Sequence, residues 1–178
     1  MTNRHLVRVN KAIQSAQVLI DIGQEVQEPN SSLKKRVLAE SVLRQFGLAI
    51  TLYFRELAEN YDLKTISDIN TLNDLCVRFE RSNKSIAEAQ EFRDLSIIQN
   101  SWFNVITELC ANLQDSLDGT PAAKSFITEG IIPSNRIEVV DITSTDQKMP
   151  EIDLNLLKIW LEEFKLIIFR HRQTSIEY

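Results

Sequence analysis

Glycine and proline are scarce, with four of each in 178 residues. Sharp turns are where these residues concentrate, so the shortage implies few turns and long elements. Cysteine is scarcer still. Cys76 and Cys110 share no CxxC spacing and supply neither a disulfide framework nor a zinc site. Both fall inside apolar helical patterns, where a free cysteine behaves as a small hydrophobe. The only histidines are His5 and His171. A ferritin-like di-iron centre needs Glu-x-x-His on two helices, and neither histidine has a glutamate three residues before it. The carboxylate pairs Glu56/Glu59 and Glu88/Glu91, each at i, i+3, read as solvated helix faces. No metal site and no cofactor are expected.

Other absences narrow the function classes. Gly-x-Ser-x-Gly, a P-loop and the dinucleotide-binding glycine pattern are all missing. Neither mid-helix cysteine has an activating histidine or helix N-terminus beside it in the sequence, so no catalytic residue is assigned. The longest uninterrupted apolar run, Leu166 to Phe169, is far short of a membrane span. The N-terminus, opening Thr2-Asn3-Arg4-His5, lacks the apolar core of a signal peptide. A reducing cytoplasmic setting without membrane contact is the expectation. A net charge of −5 argues against a whole-protein nucleic-acid footprint. The charge is uneven, however: no acid precedes Asp21, and Arg4, Arg8 and Lys11 share one helical face. Lys34-Lys35-Arg36 forms a second small basic cluster.

What remains is helical periodicity, and it is strong. From about Asn3 to Gln27, Leu6, Val9, Ile13, Ala16, Ile20 and Gly23 recur at three- and four-residue steps, the mark of one buried stripe. Pro29-Asn30 ends that helix, and so short a break makes the next helix its antiparallel neighbour. The second helix, Ser31 to Asp62, is apolar over more than half its circumference and is predicted to be the central pillar. Gly47 within it costs about 1 kcal/mol against alanine, which implies close packing of another helix. Thr65-Ile66-Ser67-Asp68 has capping-box character and predicts a short helix continuing to about Arg81. Ser85-Ile86-Ala87-Glu88 reads as a cleaner box opening one long helix through Phe92, Ile98, Trp102 and Leu113, ended by Gly119. Thr120-Pro121 starts another short helix. Between 131 and 150, Ile137, Val139, Val140 and Ile142 suggest an extended segment. The last helix, about Asp153 to Thr174, carries Leu157, Trp160, Leu161, Phe164, Ile167, Ile168 and His171 on one face. With that face as core, Trp160→Ala should cost about 3–5 kcal/mol. The fold expected is all-α: one domain over 1–178, an antiparallel bundle of four long helices with two short helices and one extended segment.

Two resemblances follow from particular residues. In size and helical make-up the chain is similar to HEPN-type ribonuclease domains, whose motif is Arg, four to six residues, then His. No arginine stands four to six residues ahead of His171, where Lys165 and Leu166 fall instead, so the architecture is comparable and the catalytic motif is absent. His171 then reads as a helix-end residue favoured by the dipole. The runs Phe54-Arg55-Glu56-Leu57-Ala58-Glu59-Asn60-Tyr61, Glu91-Phe92-Arg93-Asp94-Leu95, Ser101-Trp102-Phe103 and Trp160-Leu161-Glu162-Glu163-Phe164 resemble a small bacterial family, a helical cytoplasmic domain of unknown function. That resemblance implies the fold and carries no catalytic residues.

Function is therefore sought in surface apolarity. Leu166 and Phe169 lie off the main stripe of the last helix, and exposed apolar patches mark partner sites. The expectation is a non-enzymatic interaction module that self-associates or binds a protein partner through Leu166 and Phe169. The alternative is a nucleic-acid-associated helical protein using Arg4, Arg8 and Lys11.

Overall fold

The computed structural model describes residues 4–25, 32–84, 86–115 and 153–176. They form α1 (Arg4–Glu25), α2 (Ser32–Asn60), a 3₁₀ turn (Ile66–Asp68), α3 (Leu72–Arg81), α4 (Ala87–Ile97), α5 (Trp102–Asp115) and α6 (Leu154–Ile176), with no strand among the described residues. The helix end at Pro29-Asn30, the short helix expected after Pro121, the extended segment 131–150 and the helix end at Gly119 lie outside them.

Helix α2 is the pillar. It packs against α1, α3, α5, α6 and the 3₁₀ turn, and buries Val42, Leu43, Phe46, Ala49, Tyr53, Phe54, Leu57 and Ala58 among other residues. Length and composition alone would let α2 cross a membrane, yet half of that apolar stretch is buried inside the bundle. Around it sits an aromatic core. Phe92 from α4 touches Phe54, Phe103, Tyr53 and Phe164, with ring centroids 5.1–6.4 Å apart. Phe46 stacks on Trp102 at 6.0 Å, so α2, α4, α5 and α6 converge on one set of rings. Trp160, by contrast, is only half-buried at the core margin. Trp102 is the tryptophan that fills the core, and the cost expected for truncating Trp160 belongs there instead.

Helix α1 runs antiparallel to both long neighbours. The His5 backbone N–H reaches Glu59 Oε2 at 3.5 Å at one end of the α1–α2 pair, and Gly23 faces Leu38 at the other. Along α1 and α6 the pairing is a ladder with heptad spacing. Lys158 Nζ donates to Gln24 Oε1 at 3.2 Å, Lys165 Nζ to Gln17 Oε1 at 2.9 Å, and Arg172 Nη1 to Asn10 Oδ1 at 2.9 Å. Seven-residue steps keep one seam facing the partner helix. Since α2 and α6 both oppose α1, they run parallel to each other, as Phe46–Phe164 and Tyr53–His171 attest. The bundle is thus not antiparallel throughout.

Two close approaches depend on glycine. A Cβ at Gly47 would lie 2.8 Å from Cys110 Sγ, so α5 packs tightly on α2 there. At Gly23 it would lie 2.5 Å from Leu154 Cδ1.

The loops depart from expectation, and for one reason. The helix expected to run from Ser85 through Leu113 is broken into α4 and α5. Asn100 takes a left-handed conformation at φ 64°, and the Ser101 hydroxyl accepts the Asn104 N–H at 3.1 Å, starting α5 afresh. Ile98 stays exposed instead of joining the stripe. Thr65 is itself left-handed and caps nothing; the capping box is formed six residues later by Thr71 and Asp74. At α4 the cap position is Ile86, without a side-chain cap bond. Asp62 and Asn83 end α2 and α3 in the same geometry, with 6→1 bonds Leu63 N to Ala58 O at 2.9 Å and Lys84 N to Phe79 O at 3.0 Å. Both are Schellman motifs, which usually place glycine at that residue. Asparagine, aspartate and threonine take the left-handed positions that a glycine-poor chain cannot fill with glycine.

Candidate functional site

Two features stand out, one polar and buried, the other apolar and open. The polar one gathers at the end of the bundle where α2 and α6 finish. The two carboxylate pairs expected to be solvated each turn one member inward: Glu56 is 1% exposed, and Glu88 is also buried. Burying a carboxylate is costly without a partner. Glu56 receives the fork of Arg172, with Nε on Oε1 and Nη2 on Oε2, both at 2.7 Å. Glu88 accepts the Tyr61 hydroxyl at 3.0 Å. Burial first, then the charge and hydrogen bond of Glu88, push the Tyr61 phenol up to about 12.

His171 completes the cluster and does not sit at a solvated helix end. It is buried, with Nδ1 2.7 Å from the Tyr53 hydroxyl and Nε2 2.7 Å from Glu91 Oε2. A carboxylate only accepts, so Nε2 carries the proton that faces Glu91; in a neutral ring Nδ1 then accepts from Tyr53. Arg170 also pairs with Glu91. Burial works against ionisation of Glu91, but hydrogen bonds from His171 and Arg170, together with their charges, outweigh it and hold the carboxyl below its ordinary value. Burial, reinforced by the Glu56 and Glu88 charges, pushes the Tyr53 phenol up and keeps it a donor. The space between Tyr53, Glu56, Tyr61, Glu88, His171 and Arg172 measures about 10 Å³. That is room for one water at most, so the cluster links helices and has no space for a substrate.

Neither thiol is primed as a nucleophile. Burial raises Cys110 to about 11, and burial likewise raises Cys76. Among the described residues no group of three or more His, Cys, Asp or Glu side chains is placed to hold a metal ion.

The apolar feature is a groove of about 590 Å³ between α1 and α6. Ile13, Ile168, Leu166 and Phe169 give it its apolar lining, while Asn10, Gln14, Gln17, Lys165 and Arg172 form its polar border. The structure thus brings Leu166 and Phe169 together on one groove, 67% and 62% exposed. Arg4, Arg8 and Lys11 are exposed along α1 and do not line it. Gln17 and Lys165, bonded to each other, both border the groove, so the heptad ladder between α1 and α6 runs along it. Sequence reasoning missed the buried cluster. Its one legible signal was the pair Tyr53 and Tyr61 on an α2 stripe otherwise made of apolar residues.

The model of a family of unknown function (DUF6586) matches residues 1–178. No curated protein and no solved structure matches the chain.

Proposed function

We propose that this chain, which belongs to the DUF6586 family of unknown function, is a non-enzymatic interaction module that docks a helix of a protein partner in the α1–α6 groove. The observation that carries this reading is the groove itself. Two large apolar side chains, Leu166 and Phe169, stand open beside the half-buried Ile13, over a lining fixed by the hydrogen bonds of Gln17 and Lys165. Helix-in-groove recognition uses such a surface, with apolar anchors at three- and four-residue spacing. The buried polar cluster supports the reading indirectly, because its groups satisfy one another and leave about 10 Å³ of space.

The test is native mass spectrometry on protein purified from its own cells, wild type against Leu166→Asp/Phe169→Asp. A mass above that of one chain, lost in the variant at unchanged thermal stability, is the expected result. A monomer in both would overturn it. The nucleic-acid alternative through Arg4, Arg8 and Lys11 has only the exposure of those side chains in its favour.

A further inference from the structure

Resting on that reading, we infer that the partner is a second copy of this chain, paired through α6 in antiparallel sense about a two-fold axis passing between Glu162 and Glu163. Among the described side chains of α6, the exposed large apolar ones are Leu156, Ile159, Leu166 and Phe169. Their positions are symmetric about that point: Leu156 mirrors Phe169, and Ile159 mirrors Leu166. A two-fold interface must be self-complementary, with each contact made twice. Here one end of the helix supplies projecting side chains, Leu156 and Ile159, and the other end borders the groove. Turning a copy end over end seats Leu156 and Ile159 of each chain in the groove of the other.

The size is right for a stable pair. These four side chains expose apolar surface on the order of 400 Å² per protomer, close to the apolar part of the ~800 Å² that a standard interface buries on each side. The stripe they form is inclined to the helix axis, so the two helices cross at an angle, as packed helices do.

Two experiments on the full chain test the pairing. The first compares assembly by light scattering in Leu156→Asp/Ile159→Asp and in Leu166→Asp/Phe169→Asp. Both should weaken dimerisation at least tenfold, although Leu156 and Ile159 do not line the groove. Leu156 and Ile159 are 40% and 56% exposed, so the first variant leaves the core intact and keeps its fold. Loss of assembly in the 166/169 variant alone leaves the docking groove standing and overturns self-pairing; no loss in either variant overturns both. The second experiment uses mild oxidation. Glu162→Cys lies beside its own copy near the axis and should form a disulfide-linked dimer. Gln173→Cys lies about 32 Å from its copy in this register and should not. Equal cross-linking at 162 and 173, or a monomeric wild type, overturns the arrangement.

Discussion

Arg172 holds three things at once: both oxygens of Glu56, the amide oxygen of Asn10, and the border of the groove. Its removal strands the Glu56 carboxylate in the core. Breaking a buried pair from one side costs about 3–5 kcal/mol, whereas replacing both partners by apolar residues is often neutral. Urea denaturation of Arg172→Met should show a loss of that size, and Glu56→Met/Arg172→Met should recover most of it. A single-variant loss under about 1 kcal/mol would mean that the pair does not brace the bundle. Glu91 makes a second case, readable by pH. Its carboxyl is held below the ordinary value, despite burial, by His171 and Arg170. A group whose folded pKa is depressed stabilises above its unfolded value, near 4.3, and that contribution fades as pH falls through the folded value. Glu91→Gln should therefore be less stable than wild type at pH 7, with the gap closing toward pH 3. An equal gap at both pH values would exclude the carboxylate as the source.

Among the elements, the ends of α2 and α3 offer the most direct handle. Asp62 sits at φ 55° in a Schellman motif whose next residue, Leu63, is buried. Glycine adopts that conformation without the Cβ penalty. Asp62→Gly should raise stability by about 1 kcal/mol, the low end of the left-handed penalty that a Cβ imposes, measured by thermal and urea unfolding, and a loss would show that the aspartate side chain has a role of its own. These ends also mark how far the sequence could be read. The stripes of α1, α2 and α6 were legible because a 3.6-residue period repeated over five or more turns leaves one face to bury. The α4–α5 break was not, because Ile98 continues the apolar spacing and only Asn100 and Ser101 interrupt the backbone. Nor were the buried Glu56 and Glu88 legible. Arg172 lies 116 residues from Glu56, and Tyr61 lies 27 from Glu88, so helical spacing on either element alone could not reveal the compensation. Leu166 and Phe169 were legible as outward residues, since that follows from their own helix, whereas the groove beside them needed α1 in register.

For the molecule as a whole, charge decides between association through α6 and attraction to a polyanion, because salt moves the two in opposite directions. The chain carries −5 overall, so two copies repel at long range. Near the proposed axis Glu162 and Glu163 of both copies come together. Lys165 lies 2.6 Å from Glu162 within each protomer and offsets part of that repulsion. Salt at physiological strength screens such exposed charges over about 8 Å, while the burial of Leu156, Ile159, Leu166 and Phe169 is insensitive to screening and is strengthened by excluded salts such as sulfate. Self-association should therefore tighten between low salt and about 0.15 M, and Glu163→Gln should tighten it at low salt in the same way. Binding to nucleic acid through Arg4, Arg8 and Lys11 would behave oppositely, since release of condensed counterions makes affinity fall steeply as salt rises. Sedimentation velocity across a salt series, with and without single-stranded DNA, reads both effects on one sample. A dimer that dissociates as salt rises would show that charge attraction, and not the apolar stripe of α6, holds the copies together.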